Sequence, residues 1–125
     1  ELIHACGLGH APNDPERDLE RILAAPASRI FIFDEDGGVA GLVVAANDGR
    51  RGWIYYLAVS PELRHRGIGQ ALLHHAEEWL RSCGVPKVLL LVRDTNLKVM
   101  EFYRSFGYQE EPCTCMGHWI AEPIV

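Results

Sequence analysis

The stretch Arg64-His65-Arg66-Gly67-Ile68-Gly69-Gln70 is the starting point, because it joins a strand-like apolar run to a long helical pattern. A helix start leaves about four N–H groups without intrahelical acceptors, and the helix dipole adds about half a positive charge there. Gly67 and Gly69 lack Cβ atoms, so an anion can approach the backbone closely. With Arg64 and Arg66 beside it, this stretch predicts a site for a phosphate or pyrophosphate.

Two well-known phosphate motifs do not describe this loop. No Gly-Lys-Ser/Thr follows, as a P-loop requires, and the run from Gly67 to Leu72 lacks the third glycine of a dinucleotide fingerprint. The competing interpretation is a permissive loop with solvated arginines. The strand-like run directly before the loop and the two arginines favour anion binding.

Three strand-like runs precede the loop, at 29–33, 39–46 and 53–59, and short polar turns separate them. This order predicts an antiparallel meander. Further upstream, Asp14 can cap a helix whose first position is Pro15. Residues 1–6 are expected to form the end of an earlier helix.

After the loop, apolar residues recur at helical spacing until Gly84 and Pro86 end the pattern. The predicted buried stripe consists of Ile68, Ala71, Leu72, Ala76, Trp79, Leu80 and Cys83. The apolar run 87–92 predicts a strand covered on both faces. A second helix opens at Thr95 or Asn96 and ends at Gly107, and two last strands are predicted at 108–111 and 114–120.

The chain has 125 residues, which predicts one domain spanning 1–125 with one core. Its 12 basic and 17 acidic residues give a net charge of −5, which does not suggest a nucleic-acid binder. An acidic surface suits a cationic substrate, and it also suits plain solubility. No apolar run reaches the roughly 18 residues that span a bilayer, and no signal peptide is visible.

The four cysteines are interpreted as the reduced thiols of a cytoplasmic protein. Cys113 and Cys115 would point the same way on an extended strand, about 6.6 Å apart, which does not suit a disulfide. A metal site built from Cys113, Cys115 and His118 would lack a second ligand cluster, so no metal is expected.

Taken together, these residues resemble the GNAT superfamily of N-acetyltransferases. The segment 64–69 fits the family signature Gln/Arg-x-x-Gly-x-Gly/Ala, and 56–62 resembles the strand and strand exit that precede it. Asn96, Phe102-Tyr103 and Phe106-Gly107-Tyr108 resemble a later family segment. The likeness covers about 30–120 and is nearest to small bacterial YpeA-type acetyltransferases.

The resemblance implies a mixed α/β (α+β) fold with a mostly antiparallel sheet that opens beside the strand before the loop, with helices around it. It implies acetyl-coenzyme A as cofactor and a small-molecule or peptide amine as acceptor. Tyr103 would face the sulfur as the catalytic acid, and Asn96 would hydrogen-bond the pantetheine arm. The other implied cofactor-binding residues are Leu57, Ala58, Val59, Arg64, His65, Arg66, Gly67, Ile68, Gly69 and Gln70.

The sequence departs from the family pattern in two places. Many relatives carry a glutamate base on the strand after the long helix, and here the matching position is Leu91. The family's first strand would precede Glu1. The base is therefore undecided, with candidates by chemistry alone at Asp34, Glu35, Asp48, Tyr55 and Tyr56, and the amine could also arrive neutral. An acyl-coenzyme A sensor without catalysis remains the alternative function, and a monomer or homodimer is expected.

Overall fold

A computed structural model describes residues 15–35 and 37–121, apart from the Pro15 side chain. Predictions that fall on residues 1–14 lie outside the described residues. Within them the chain forms two compact units, 15–90 and 91–121. The elements in chain order are α1 (Pro15–Ala24), β1 (Ser28–Glu35), β2 (Gly38–Asn47), β3 (Gly52–Val59), one 3-10 turn (Pro61–Leu63), α2 (Ile68–Ser82), β4 (Val88–Leu90) and α3 (Leu97–Ser105).

The four strands form one sheet in the order β1-β2-β3-β4. The first three pair antiparallel, as the predicted meander requires, and β4 joins β3 in parallel. Only Gly52–Ile54 of β3 pairs with β4; from Tyr55 to Val59 no β4 residue within the described ranges continues the ladder. The sheet therefore opens along the second half of β3.

The two faces of the sheet carry different helices. Leu42 and Val44 are buried on the α1 face, where Leu19, Ile22, Ile30 and Tyr56 pack against them. On the other face Gly41 lies under α2: a Cβ there would lie 3.0 Å from Leu72 Cδ1. Side chains alternate between faces along a strand, so the apolar residues of β2 are divided between the two helices.

One bulge interrupts this alternation in β3. Val44 pairs with Tyr56 while Ala45 pairs with Ile54, which leaves Tyr55 as an extra residue. The rings of Trp53 and Tyr55 stack with centroids 6.4 Å apart. The bulge therefore places Tyr55 beside Trp53. Trp53 pairs with Ala46, which lies on the α1 face with Val44, so Trp53 lies on that face as well.

The long helix was predicted well, but its buried stripe was not entirely right. Ile68, Leu72, Ala76 and Leu80 are buried as expected, and Trp79 is partly buried. Ala71 and Cys83 are exposed, contrary to the prediction, whereas Leu73, which was not in the predicted stripe, is only 2% exposed. The sheet extends over a wider arc of α2 than one narrow stripe, so the next residue after Leu72 is also covered.

The strand predictions at the C-terminal end were partly wrong. The run 87–92 gives only Val88–Leu90, which is partly buried, and Leu91 is 68% exposed. The segments 108–111 and 114–120 form no strand in the described part of the chain. Strand propensity reflects packing against neighbouring strands, and no described strand pairs with either segment.

Candidate functional site

The start of α2 lacks the usual caps. Gly67 is the N-cap residue with φ 79°, no side chain caps the first turn, and that turn contains no acidic residue. The first helical bond runs from Ala71 N to Gly67 O at 3.1 Å. The N–H groups of Ile68, Gly69 and Gln70 therefore precede the first α-helical bond, at the positive end of a 15-residue helix.

The loop before α2 has two residues with positive φ and open space at Gly67. His65 has φ 67°, which is unusual for a residue with a Cβ, and Gly67 also has positive φ. A Cβ placed on Gly67 would meet nothing within 4 Å. Alternation of left-handed and right-handed residues turns successive N–H groups toward one side, which is how backbone anion sites are built.

The two arginines of the loop have different contacts. Arg64 Nε donates to the carbonyl oxygen of Val59 at 3.3 Å, which ties the loop to the end of β3. Arg66 lies 3.6 Å from Glu35 Oε1 in an exposed ion pair. Such a pair is worth little in water, so Arg66 can exchange Glu35 for a stronger anion.

The open edge of β3 presents main-chain groups at alternate residues. Ser60 N donates to Ala40 O at 2.7 Å, so Ala58 and Tyr56, two and four residues earlier, also pair with β2. The N–H and C=O groups of Leu57 and Val59 must then point away from β2, to the side that β4 leaves open. Ala58 uses its own main-chain groups within the sheet.

Asn96 and Tyr103 lie in the second compact unit. Asn96 caps α3, with Oδ1 accepting from Val99 N at 3.4 Å, so its amide Nδ2 can still donate to a ligand. Tyr103 is buried, and its ring meets Phe102 and Tyr108 edge-on at 5.2 and 5.4 Å. Burial raises the pKa of the Tyr103 phenol to about 12, so this group stays protonated.

Two of the candidate bases, Asp48 and Tyr56, are poorly suited to remove a proton. Asp48 accepts from Arg50 N at 2.8 Å, Arg51 N at 2.6 Å and Trp53 Nε1 at 3.0 Å, and these bonds lower its pKa to about 2. Burial raises the pKa of Tyr56, whose hydroxyl donates to Asp18 Oδ2 at 2.7 Å.

The structure brings two of the predicted groups into one compact unit: 57–59 on β3 and 64–70 in the loop and α2. The sequence interpretation missed Asp18. An acidic residue in the first turn of a helix is fully explained by the helix dipole, so no sequence signal pointed to its contact with Tyr56.

Comparison with known proteins identifies the family and the fold. The acetyltransferase (GNAT) family model matches residues 2–108. An acetyltransferase of Pectobacterium atrosepticum is 37% identical over 121 residues, which are 97% of this chain and 86% of that protein. The crystal structure of nourseothricin acetyltransferase is 36% identical with a TM-score of 0.62, over 66% of this chain and 50% of that one.

A more distant structure has the same fold. The aminoglycoside N-acetyltransferase AAC(6')-Iy, in complex with a bisubstrate analogue, gives a TM-score of 0.73 at 19% identity, over 85% of this chain and 78% of that one. At this identity the likeness concerns the fold alone.

The family model and the curated relative define an N-acetyltransferase that uses acetyl-coenzyme A. The chain belongs to the acetyltransferase (GNAT) family, whose model covers most of its length. Of the helices within 15–35 and 37–121, none combines the length and apolar character needed to cross a membrane. In the same ranges no three His, Cys, Asp or Glu side chains are grouped so as to hold a metal ion.

Proposed function

We propose that this acetyltransferase transfers the acetyl group to a primary amine of a small molecule or peptide, and that the start of α2 holds the cofactor pyrophosphate. The observation that carries the proposal is the uncapped helix start at Gly67, with the N–H groups of Ile68, Gly69 and Gln70 available. A pyrophosphate satisfies these donors and meets the positive end of the helix dipole. Arg64, His65 and Arg66 form the rest of this site.

The pantetheine arm is an extended chain with two amides, and it fits the open edge of β3 as an added strand would. Leu57 turns its main-chain donor and acceptor to that side, and Ala58 beside it maintains the pairing with β2. Val59, whose carbonyl oxygen accepts from Arg64 Nε, is proposed to line the same edge. The Leu57 N–H is then a suitable donor for the oxyanion of the tetrahedral intermediate. The amide of Asn96 is proposed to hydrogen-bond the same arm.

The reaction itself needs a neutral amine. An alkyl amine with a pKa near 10 is neutral in about one molecule per thousand at pH 7. Its nitrogen attacks the thioester carbon, the C–N bond forms and the C–S bond breaks. The nitrogen loses one proton to solvent, and the departing coenzyme A thiolate gains one, for which Tyr103 is the proposed donor.

The test compares two glycines at opposite ends of α2. Gly67 and Gly84 both have positive φ, 79° and 86°, and a Cβ at either would meet nothing within 4 Å. Gly67→Glu places bulk and negative charge where the pyrophosphate is proposed to lie, so its affinity for acetyl-coenzyme A should fall about 100-fold or more. Gly84→Glu carries the same charge and backbone strain and should retain near wild-type affinity.

Isothermal titration calorimetry with acetyl-coenzyme A measures these affinities. Equal binding by wild type and Gly67→Glu would contradict the loop assignment. Release of free thiol with a panel of amines then separates catalysis from sensing: a sensor would bind the cofactor without amine-dependent thiol release.

A further inference from the structure

A carboxylate that the proposed mechanism does not yet use lies beside the open half of β3. Tyr56 OH donates to Asp18 Oδ2 at 2.7 Å, a partly buried bond between β3 and α1. Tyr56 directly precedes Leu57, whose main chain faces the open edge of the sheet. The carboxylate is thus linked, through the Tyr56 side chain and one hydrogen bond, to the strand along which the thioester is proposed to lie.

Asp18 retains the capacity to bind a further donor. Tyr56 contacts only Oδ2, and among the described residues Oδ1 has no hydrogen-bonding or ionic partner. Because an ionised carboxylate accepts at both oxygens, Asp18 can take an N–H donor without losing Tyr56.

The bulge adds an aromatic surface on the same side of the sheet. Tyr55 is the extra residue of β3, it is 55% exposed, and its ring stacks on Trp53. Aromatic faces attract cations, and bulges often direct a side chain toward a site. Tyr55 and Tyr56 are consecutive residues of β3, so an exposed ring directly precedes the residue that holds the Asp18 carboxylate. An aromatic ring and a carboxylate are both groups that bind an alkylammonium ion.

We propose that Asp18, held by Tyr56, binds the ammonium group of the acceptor, and that the preferred acceptor is an alkyl amine with no carboxylate beside its amino group. This inference rests on the proposed function. Asp18 binds and orients the ammonium group, and the bound amine must still lose a proton to solvent before its nitrogen attacks. An acceptor with its own α-carboxylate would place two like charges together at Asp18 and bind weakly.

Tyramine and tyrosine test this directly, because they differ only by the carboxylate. With wild-type protein, kcat/KM for tyramine should exceed that for tyrosine by about 10-fold or more. Asp18→Asn keeps an oxygen acceptor for Tyr56, and it should raise KM for tyramine about 10-fold while KM for acetyl-coenzyme A stays within about twofold. In Asp18→Asn the ratio of kcat/KM for tyramine to kcat/KM for tyrosine should also become smaller.

Two controls separate ligand binding from a structural role. Glu20→Gln removes the same charge from an exposed position of α1 and should leave both KM values unchanged. Hydroxylamine is uncharged at neutral pH, so its acetylation by Asp18→Asn, corrected for the uncatalysed reaction, should match wild type. A purely structural effect would impair hydroxylamine and tyramine alike.

The inference is overturned if Asp18→Asn and Glu20→Gln behave alike with tyramine, if wild type does not prefer tyramine over tyrosine, or if a protein that binds acetyl-coenzyme A fails to acetylate tyramine. In each of these cases the proposed function still stands wherever cofactor binding and thiol release with another amine persist. Loss of cofactor binding in the wild type would instead remove the proposed function itself.

Discussion

At the scale of single residues, the same amino acid serves different purposes according to its backbone. Gly67 has a left-handed conformation with open space beyond it, whereas Gly52 is buried, and a Cβ there would lie 2.8 Å from Leu80 Cδ1. The first is needed for turn geometry and access, and the second for close packing. The sequence shows a glycine in both places and does not distinguish the two requirements.

Tyr103 is the residue whose chemical role is tested most simply. If its phenol protonates the leaving thiolate, Tyr103→Phe should lower kcat by about 10² or more while affinity for acetyl-coenzyme A stays within a few-fold. Because the pKa of Tyr103 is about 12, titration of this group should not reduce wild-type kcat between about pH 8 and pH 10.

Tyr108→Phe is the matched control, since the Tyr108 ring lies 5.4 Å from that of Tyr103 in the same aromatic cluster. Steady-state kinetics and calorimetry on both variants provide the comparison. An unchanged kcat in Tyr103→Phe would remove this residue from the mechanism.

At the scale of elements, α2 depends on close approach to the sheet. Gly41 lies under Leu72 and Gly52 lies under Leu80, so two glycines allow the helix to reach β2 and β3. The opposite side of the sheet is covered by α1, whose contact with β3 includes the Asp18–Tyr56 hydrogen bond. The helix start that is proposed to hold the cofactor is therefore positioned by packing at a distance from it.

Gly52→Ala should destabilise the protein, because the new methyl would be forced against the Leu80 side chain. Overpacking of this kind costs about 1–3 kcal/mol. Gly38→Ala is the control: it also lies in a strand, its φ is not positive, and its Cβ would meet only Glu35 O at 3.9 Å.

Urea unfolding measures both variants. Gly52→Ala should show a lower midpoint, and Gly38→Ala should remain within about 0.5 kcal/mol of wild type. Equal stability of the two variants would mean that α2 can shift away from the sheet without cost.

At the scale of the whole molecule, titration limits stability at both ends of the pH range. The pKa of Tyr103 is about 12 in the folded protein and about 10 in the unfolded chain. Its contribution to the free energy of unfolding is therefore complete below about pH 10 and is lost as pH rises toward 12. Two pKa units correspond to about 3 kcal/mol. The pKa of Tyr56 is raised as well and acts in the same direction.

At acid pH the dependence of stability on pH has the opposite sign. The pKa of Asp48 is about 2 in the folded protein, below the usual 3.8, so its contribution is present above about pH 4 and is lost as pH falls toward 2. Melting temperatures measured from pH 2 to pH 11 should therefore decline at both ends. Tyr103→Phe should flatten the alkaline decline, and an unchanged alkaline limb in that variant would contradict the assignment.

The sequence by itself determined the features that depend on local spacing. The 3.6-residue period predicted α2, and the polar turns between strand-like runs predicted the antiparallel meander. The helix start directly after Gly67 was predictable in the same way, whereas the anion site at 64–70 stays a prediction. Asn96 as the cap of α3 was also predictable, because its side chain bonds a residue three positions away.

Only the tertiary structure decided which groups meet across the sheet. The short pairing of β3 with β4, the bulge at Tyr55 and the bond between Asp18 and Tyr56 all depend on residues far apart in the chain. The same reason explains why the strands predicted at 108–111 and 114–120 do not form in the described part of the chain. A strand forms only where a neighbouring strand accepts its hydrogen bonds, and the local sequence does not show whether such a neighbour is present.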